Sequence, residues 1–273
     1  MREKIKAFLQ KSIVPLMEEK SPQSFPLRKA FTILGEAGLL GLAFPAKYGG
    51  ADGSFTDFAI VAEEIFRLSA PLGMAFSNHI ILGCWPIFQF GTEEQKQKYL
   101  VDLLSGRKIT SFALAESSMT QDLYKEGCTA IKDGKRYILN GRKVLYQSFS
   151  SADQAIVFAA TDRTQKFFGV SAFIVDKGKR GLSFECDETE YDQAKPMQTT
   201  MIMNHCSVEE TARLGEEGDG CKIAIAAIHI VRASIAVHAL GHSRATFSYM
   251  SQLWQQEQCY SNNDAKNFRN IKT

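Results

Sequence analysis

Apolar residues in the first hundred positions recur at the spacing of amphipathic helices. Two faces repeat every three or four residues: Ile5, Phe8, Leu9 and Ile13, and then Leu27, Ala30, Phe31 and Leu34. The run TDFAIVAEEIFRLS continues this spacing, and LGMAFSNHIILGCWPIFQF is apolar on nearly every side, which is typical of a buried helix. Pro86 predicts a kink in that helix and Gly91 predicts its end. The following TEEQ has capping-box spacing for a helix ending near Leu104. These patterns predict a helical N-terminal domain, residues 1–108.

The next hundred residues change to short runs of β-forming residues. An apolar run covers 109–115, and two turn dipeptides, Asp133-Gly134 and Asn140-Gly141, punctuate CTAIKDGKRYILNGRKVLY. The runs QAIVFAATD, FFGVSAFIVDKG and TTMIMNHCSV are also rich in β-formers and bounded by polar or glycine-containing links. Short strands at this spacing favour a barrel or sandwich over an alternating βαβ sheet, and no G-x-G-x-x-G occurs. Residues 109–214 are therefore predicted to form a β-barrel-like middle domain.

The last part of the chain reads as one long helix. GEEGDG is predicted to be a turn whose acidic residues complement the N-terminus of this helix, since its charge is wrong for a phosphate-binding loop. From Cys221 to Gln258 the helix is apolar on most faces in its first half, which predicts burial, with Arg232 as an embedded charge that needs a partner. The fold class is therefore α+β, with residues 215–273 forming a curtailed C-terminal helical region.

Composition narrows the function classes. The 273 residues carry 32 basic and 30 acidic side chains, a balance that favours neither nucleic acid nor a membrane surface as a partner. We find no apolar run long enough to span a bilayer and no signal-peptide core, so a cytoplasmic location is expected. The six cysteines lack C-x-x-C spacing, so neither a disulfide framework nor a zinc site is predicted. His238 and His242 share one helix face, but a metal site would need a third ligand and none is predicted.

Several motifs together resemble one known family. SFALAESSMTQD (111–122), YILNGRKVLYQSFS (137–150) and FGTEEQKQKYL (90–100) are similar to A-L-T-E-P-x-x-G-S-D, Y-x-L-N-G-x-K-x-W-I-T-N-G and F-G-T-E-E-Q-K-x-K-Y-L of the acyl-CoA dehydrogenases. The resemblance covers about residues 25–258. It implies a helical N-terminal domain, a β middle domain and the first helix of a C-terminal bundle, with FAD as cofactor.

The resemblance also implies a flavin site. The segment that contains Phe112, Leu114 and Ala115 would run along the flavin ring, and Gln121 stands where the family has a serine near the pyrophosphate and the thioester. Leu145 replaces a tryptophan that packs on the ring. Gln147 replaces a threonine that bonds at N5, and its amide is a possible donor to the same atom. The implied cofactor-binding set is thus Phe112, Leu114, Ala115, Gln121, Leu145 and Gln147, and the implied substrate-binding set is Gln121, His229 and Arg232.

The catalytic base has no counterpart here. Dehydrogenation beside a thioester needs a carboxylate that takes the α-proton. Most family members place that glutamate late in the C-terminal bundle, past the last residue of this chain, and a minority place it one residue before the arginine that Arg232 matches. Here that residue is Val231, so no catalytic residue is assigned. We therefore expect a flavin-dependent oxidoreductase acting on an acyl thioester of CoA or a carrier protein, in a homo- or hetero-oligomer in which another chain supplies the base.

Two other hypotheses remain open at this point. Ala115, Gln121 and Leu145 depart from the family pattern, and Glu257 stands where the family has an arginine that reaches the flavin of a neighbouring subunit. These departures favour a non-catalytic relative that binds a partner or an acyl thioester. The polar tail after Gln258 would instead suit a truncated or frame-disrupted product, whose uncovered helix should aggregate. Bound flavin distinguishes the flavin-dependent oxidoreductase from the non-catalytic relative.

Overall fold

The computed structural model describes residues 1–18, 26–116, 127–146, 152–186 and 198–258. Within these ranges the helices come in chain order as α1 Arg2–Ser12, α2 Val14–Glu18, α3 Leu27–Glu36, α4 Phe55–Leu68, α5 Ala70–Asn78, a π-helix His79–Cys84, α6 Trp85–Phe90, α7 Glu93–Leu104 and, after the strands, α8 Gly220–Gln258. The strands are β1 Thr110–Ala113, β2 Thr129–Asp133, β3 Arg136–Tyr146, β4 Gln154–Ala160, β5 Val170–Asp176, β6 Leu182–Cys186, β7 Gln198–Glu209 and β8 Arg213–Leu214.

The N-terminal helices begin and end where the sequence predicts. Thr92 and Gln95 form a reciprocal capping box at the start of α7, which ends at Leu104. The predicted interruption near Pro86 takes the form of the π-helix, which ends two residues before it. Pro86 itself is the second residue of α6, which follows the π-helix with helical backbone at Cys84 and Trp85. The apolar faces of α1, α3 and α4 all contribute to one core.

The strands form one mixed sheet in the order β6-β7-β3-β2-β4-β5-β8, with β1 paired in parallel to β4. Asp133-Gly134 makes the β2–β3 turn, as predicted, because Asp133 pairs with Arg136. The prediction of a second turn at Asn140-Gly141 is wrong: this dipeptide lies inside β3, at a β-bulge opposite β7. Glycine is required there because its φ is +136° and an added Cβ would lie 2.4 Å from the Cys128 Sγ.

The long helix α8 packs on the rest of the described chain through one stripe, mainly against α4. Ala227, Ser234, His238 and Gly241 are buried, whereas Ile228, Ile235 and Leu240 are 39 to 55% exposed. The prediction that the first half of this helix is buried on most faces is therefore wrong, and so is the embedded position of Arg232, which is exposed. By length and composition alone, Gly220–Gln256 would also suffice to cross a membrane, contrary to the sequence expectation. A single buried stripe is typical of a surface helix that packs on a core by one face.

Gly241 sets the distance between α8 and α4. An added Cβ would lie 2.6 Å from the Glu63 carbonyl oxygen and 2.9 Å from the Phe66 Cβ. We expect Gly241→Ala to lower the free energy of unfolding by about 1–3 kcal/mol, because overpacking against backbone outweighs the better helix propensity of alanine. Urea unfolding followed by circular dichroism measures this. Ala236→Ser, exposed on the same helix, is the control and should change stability by less than about 0.5 kcal/mol.

Candidate functional site

The end of β1 and the residues just after it form an apolar segment that lies beside β3. Past the last residue of β1, the Ala115 carbonyl oxygen accepts a hydrogen bond of 3.0 Å from the Val144 amide, so the chain continues along β3. Ala115 is exposed, and Phe112 and Leu114 are half-buried. The Phe112 ring packs on Phe158 with the ring centroids 4.8 Å apart. These contacts hold the segment of the three predicted residues against β3 and β4; Phe112, Leu114 and Ala115 are called the ledge here.

A buried ion pair links the ledge segment to β3. Lys143 Nζ lies 2.6 Å from Glu116 Oε1, and the Lys143 side chain is fully buried. The same ammonium donates to the Leu114 carbonyl oxygen at 3.1 Å, and the Cys128 amide donates to Glu116 at 3.0 Å. Both charges are therefore met by hydrogen-bonding partners, as buried charges require. Sequence reasoning missed this pair, although a lysine and a glutamate at the ends of two apolar runs were a possible signal.

His79 holds the other end of β1. Its Nδ1 accepts from the Thr110 amide at 3.2 Å and its Nε2 lies 3.1 Å from the Leu103 carbonyl oxygen, so Nε2 carries the proton. Burial lowers the pKa of His79 to about 4. The neutral ring thus joins the π-helix, α7 and β1. The one signal in the sequence is a histidine within an otherwise apolar run.

The other predicted site residues are dispersed. Leu145 is buried in the core beside the ledge, with 1% of its surface exposed. Gln121 and Gln147 lie outside the described residues, so their assigned contacts stay predictions. His229 and Arg232 are both exposed on α8, three residues apart and therefore on neighbouring turns of one face.

His238, considered above as a metal ligand, belongs to the helix packing. Its Nε2 lies 2.6 Å from Ser234 Oγ and 2.9 Å from Ser77 Oγ, and its ring stacks on Phe66 with centroids 3.7 Å apart. Burial lowers the pKa of His238 to about 4. The described residues contain no group of three or more potential metal ligands.

Comparison with known proteins decides the family. The family model described as Acyl-CoA dehydrogenase, N-terminal domain, matches residues 1–107. An acyl-CoA dehydrogenase of Bacillus subtilis is 36% identical over 252 residues, which make up 91% of this chain and 66% of that protein. The chain belongs to the acyl-CoA dehydrogenase family. The family and fold class expected from the motifs are thereby confirmed.

Solved structures of other proteins share this fold. A prolyl acyl carrier protein oxidase superimposes with a TM-score of 0.84 at 30% identity, over 92% of this chain and 67% of that chain. An acyl-CoA dehydrogenase of Bacillus anthracis, complexed with FAD, gives a TM-score of 0.78 at 31% identity, over 88% of this chain and 41% of that chain. This chain spans just under two thirds of the length of the Bacillus subtilis relative.

The ledge suits the flavin that an acyl-CoA dehydrogenase would hold. Its exposed surface is apolar, and the nearby charges of Lys143 and Glu116 are already bonded to each other and to the backbone. Such a surface accepts a planar aromatic ring without leaving a polar group unpaired. Leu145 supports the ledge from the core. The described residues therefore fit the apolar face of a flavin ring.

Proposed function

We propose that this chain is a flavin-dependent oxidoreductase of acyl-CoA dehydrogenase type that acts on an acyl thioester, carried by CoA or by a carrier protein. The observation that carries the proposal is the apolar ledge locked by Lys143 and Glu116, in a chain that belongs to this family. A relative that is a carrier-protein oxidase supports the inclusion of carrier-bound substrates.

In this proposal the side chains of this chain bind the flavin and the acyl thioester and orient them. Leu114 and Ala115 would hold one face of the flavin, and Gln147, which lies outside the described residues, would donate to its polar edge. A bound flavin supplies the acceptor for hydride from the acyl chain. Arg232 and His229, exposed on α8, bind the anionic part of the thioester carrier, because a guanidinium pairs well with phosphate oxygens. A cytoplasmic location stays a prediction.

We further propose that another helical chain completes the site and brings the catalytic base. The outward face of α8 exposes Ile225, Ile228, Ile235 and Leu240, more apolar surface than a single helix normally leaves to water. Between Lys222 and Gln256 this helix contains no aspartate or glutamate. Glu116, next to the ledge, is occupied by Lys143. A homo- or hetero-oligomer would cover the apolar face and supply the missing carboxylate.

A non-catalytic relative is the second candidate function. Ala115 has no side-chain donor toward a flavin, and Leu145 lies in the core, so the described side chains offer the ring packing but no polar contact. A protein that keeps the fold and binds an acyl thioester or a partner without flavin would show the same features.

Flavin binding separates the two functions. We expect FAD added to the purified chain to bind saturably, with a shifted visible absorption band and quenched flavin fluorescence. Ala115→Glu, which places a charge on the ledge, should weaken binding at least tenfold, because a carboxylate there would be desolvated by the ring. Ile131→Glu, at a position 64% exposed on β2, is the matched control and should leave binding unchanged.

A chain that remains folded by circular dichroism yet binds no FAD would reject the oxidoreductase and leave the non-catalytic protein. If Ala115→Glu and Ile131→Glu weaken FAD binding equally, the flavin does not bind at the ledge.

A further inference from the structure

A second candidate site lies at the C-terminal half of α8, past Arg232 along the helix. Helices α1, α4 and α8 enclose an open cleft of about 420 Å³, a size typical of small-molecule sites. Its lining includes Lys6, Arg67 and Arg244, against the single carboxylate of Glu64. Arg244 follows Arg232 by twelve residues, about 18 Å along the helix. The cleft shares no lining residue with the flavin ledge, and it lies along α8 from the predicted thioester contacts.

Two buried carboxylates position the arginines of this cleft. Glu63 and Glu64 on α4 are 4% and 2% exposed. Arg2 donates to both, at 2.8 Å and 2.5 Å, and Arg244 donates to Glu63 at 2.5 Å. Arg67 Nε donates to Glu64 at 2.8 Å. Because each carboxylate is held inside the protein by two guanidiniums, the arginines are fixed in orientation and not free to move as surface side chains.

The ion pairs leave hydrogen-bond donors for a ligand. Among the described contacts, Arg67 uses only its Nε and Arg244 only its Nη1, so each guanidinium retains further N–H donors. Ser243 and Ser248 add two hydroxyl groups to the same lining. Around the cleft four cations (Arg2, Lys6, Arg67 and Arg244) face three carboxylates (Glu3, Glu63 and Glu64), which leaves an excess of one positive charge. This combination of fixed guanidiniums, a lysine and hydroxyls matches the oxygens of a phosphate group.

An apolar contact lies beside these donors. Phe247 also lines the cleft and is 75% exposed, a large aromatic side chain left to water next to basic groups. We infer that the α1–α4–α8 cleft binds a phosphate monoester of an aromatic or apolar alcohol, with the phosphate at Lys6, Arg67 and Arg244 and the organic group on Phe247. Such a ligand would tie the C-terminal half of α8 to α1 and α4. The inference is independent of the flavin function.

Phenyl phosphate is the probe, because it lacks the adenine of FAD and CoA and so does not report on the flavin site. We expect isothermal titration calorimetry of the full chain to show one saturable site for phenyl phosphate. Inorganic phosphate should bind with lower affinity, and phenol should show no detectable binding. The melting temperature should rise with ligand concentration, as for any ligand of the native state.

The double variant Lys6→Gln/Phe247→Ala tests the location without disturbing the buried carboxylates, since Lys6 pairs only with the exposed Glu3. We expect its affinity for phenyl phosphate to fall at least tenfold. Lys132→Gln/Phe168→Ala is the matched control, because it removes an exposed lysine–glutamate pair and an exposed phenylalanine elsewhere, and it should bind normally. The inference is overturned if no saturable binding occurs, or if the cleft variant and the control bind equally well.

Discussion

Replacing Lys143 with methionine is expected to lower the free energy of unfolding by about 3–5 kcal/mol, the cost of stranding one member of a buried ion pair. The ammonium is fully buried and holds both Glu116 and the Leu114 carbonyl oxygen. Its loss leaves Glu116, whose side chain is 10% exposed, without its countercharge. Because the same bonds fix the ledge, FAD affinity should fall together with stability. Urea unfolding and FAD titration of the same sample measure the two effects.

A double-mutant cycle assigns this loss to the pair. Lys143→Met/Glu116→Gln should be more stable than Lys143→Met alone by about 1–2 kcal/mol, since the stranded charge is then removed as well. Lys132→Met is the control: its partner Glu210 is exposed, and such surface pairs contribute at most about 1 kcal/mol. A loss for Lys143→Met no larger than that of Lys132→Met would show that the pair does not hold the ledge.

The sequence predicted those parts of the fold that local patterns determine. The capping box at Thr92 and Gln95 and the Asp133-Gly134 hairpin are set by residues within a few positions of each other, and both are confirmed. Asn140-Gly141 was misassigned because its glycine is needed for a tertiary reason, the close approach of Cys128, and not for a turn. The dipeptide Asn-Gly is the same in sequence whether it forms a hairpin turn or a β-bulge.

The candidate site shows the same division. Motif resemblance assigned Phe112, Leu114 and Ala115 to the flavin site; the structure leaves all three at least partly exposed, and their flavin contacts stay predictions. The ion pair of Lys143 with Glu116 and the bonds of His79 join residues 24 to 31 positions apart, which periodicity cannot reveal. The exposure of Arg232 was also missed, because the sequence of an apolar helix does not show whether its outer face packs within the same chain or against another chain.

The two buried histidines should make stability fall steeply in mild acid. Burial lowers the pKa of His79 and of His238 to about 4, whereas an unfolded histidine titrates near 6.5. As the pH falls below about 6.5, the unfolded chain therefore binds protons that the native chain refuses, and the equilibrium shifts toward unfolding until about pH 4. Between pH 7.5 and 5 each histidine should remove about 2 kcal/mol from the free energy of unfolding.

The reason lies in the bonds that each neutral ring makes. His79 Nδ1 accepts from the Thr110 amide, so a proton there would break the link to β1, and His238 is enclosed by Ser77, Ser234 and Phe66. Urea unfolding at pH 7.5, 6 and 5 measures the slope. His79→Gln and His238→Gln should each remove about half of it, whatever their effect at pH 7.5, while His205→Gln, at an exposed position, should leave it intact. A native chain equally stable at pH 7.5 and 5 would mean that both buried rings accept protons as readily as an unfolded histidine.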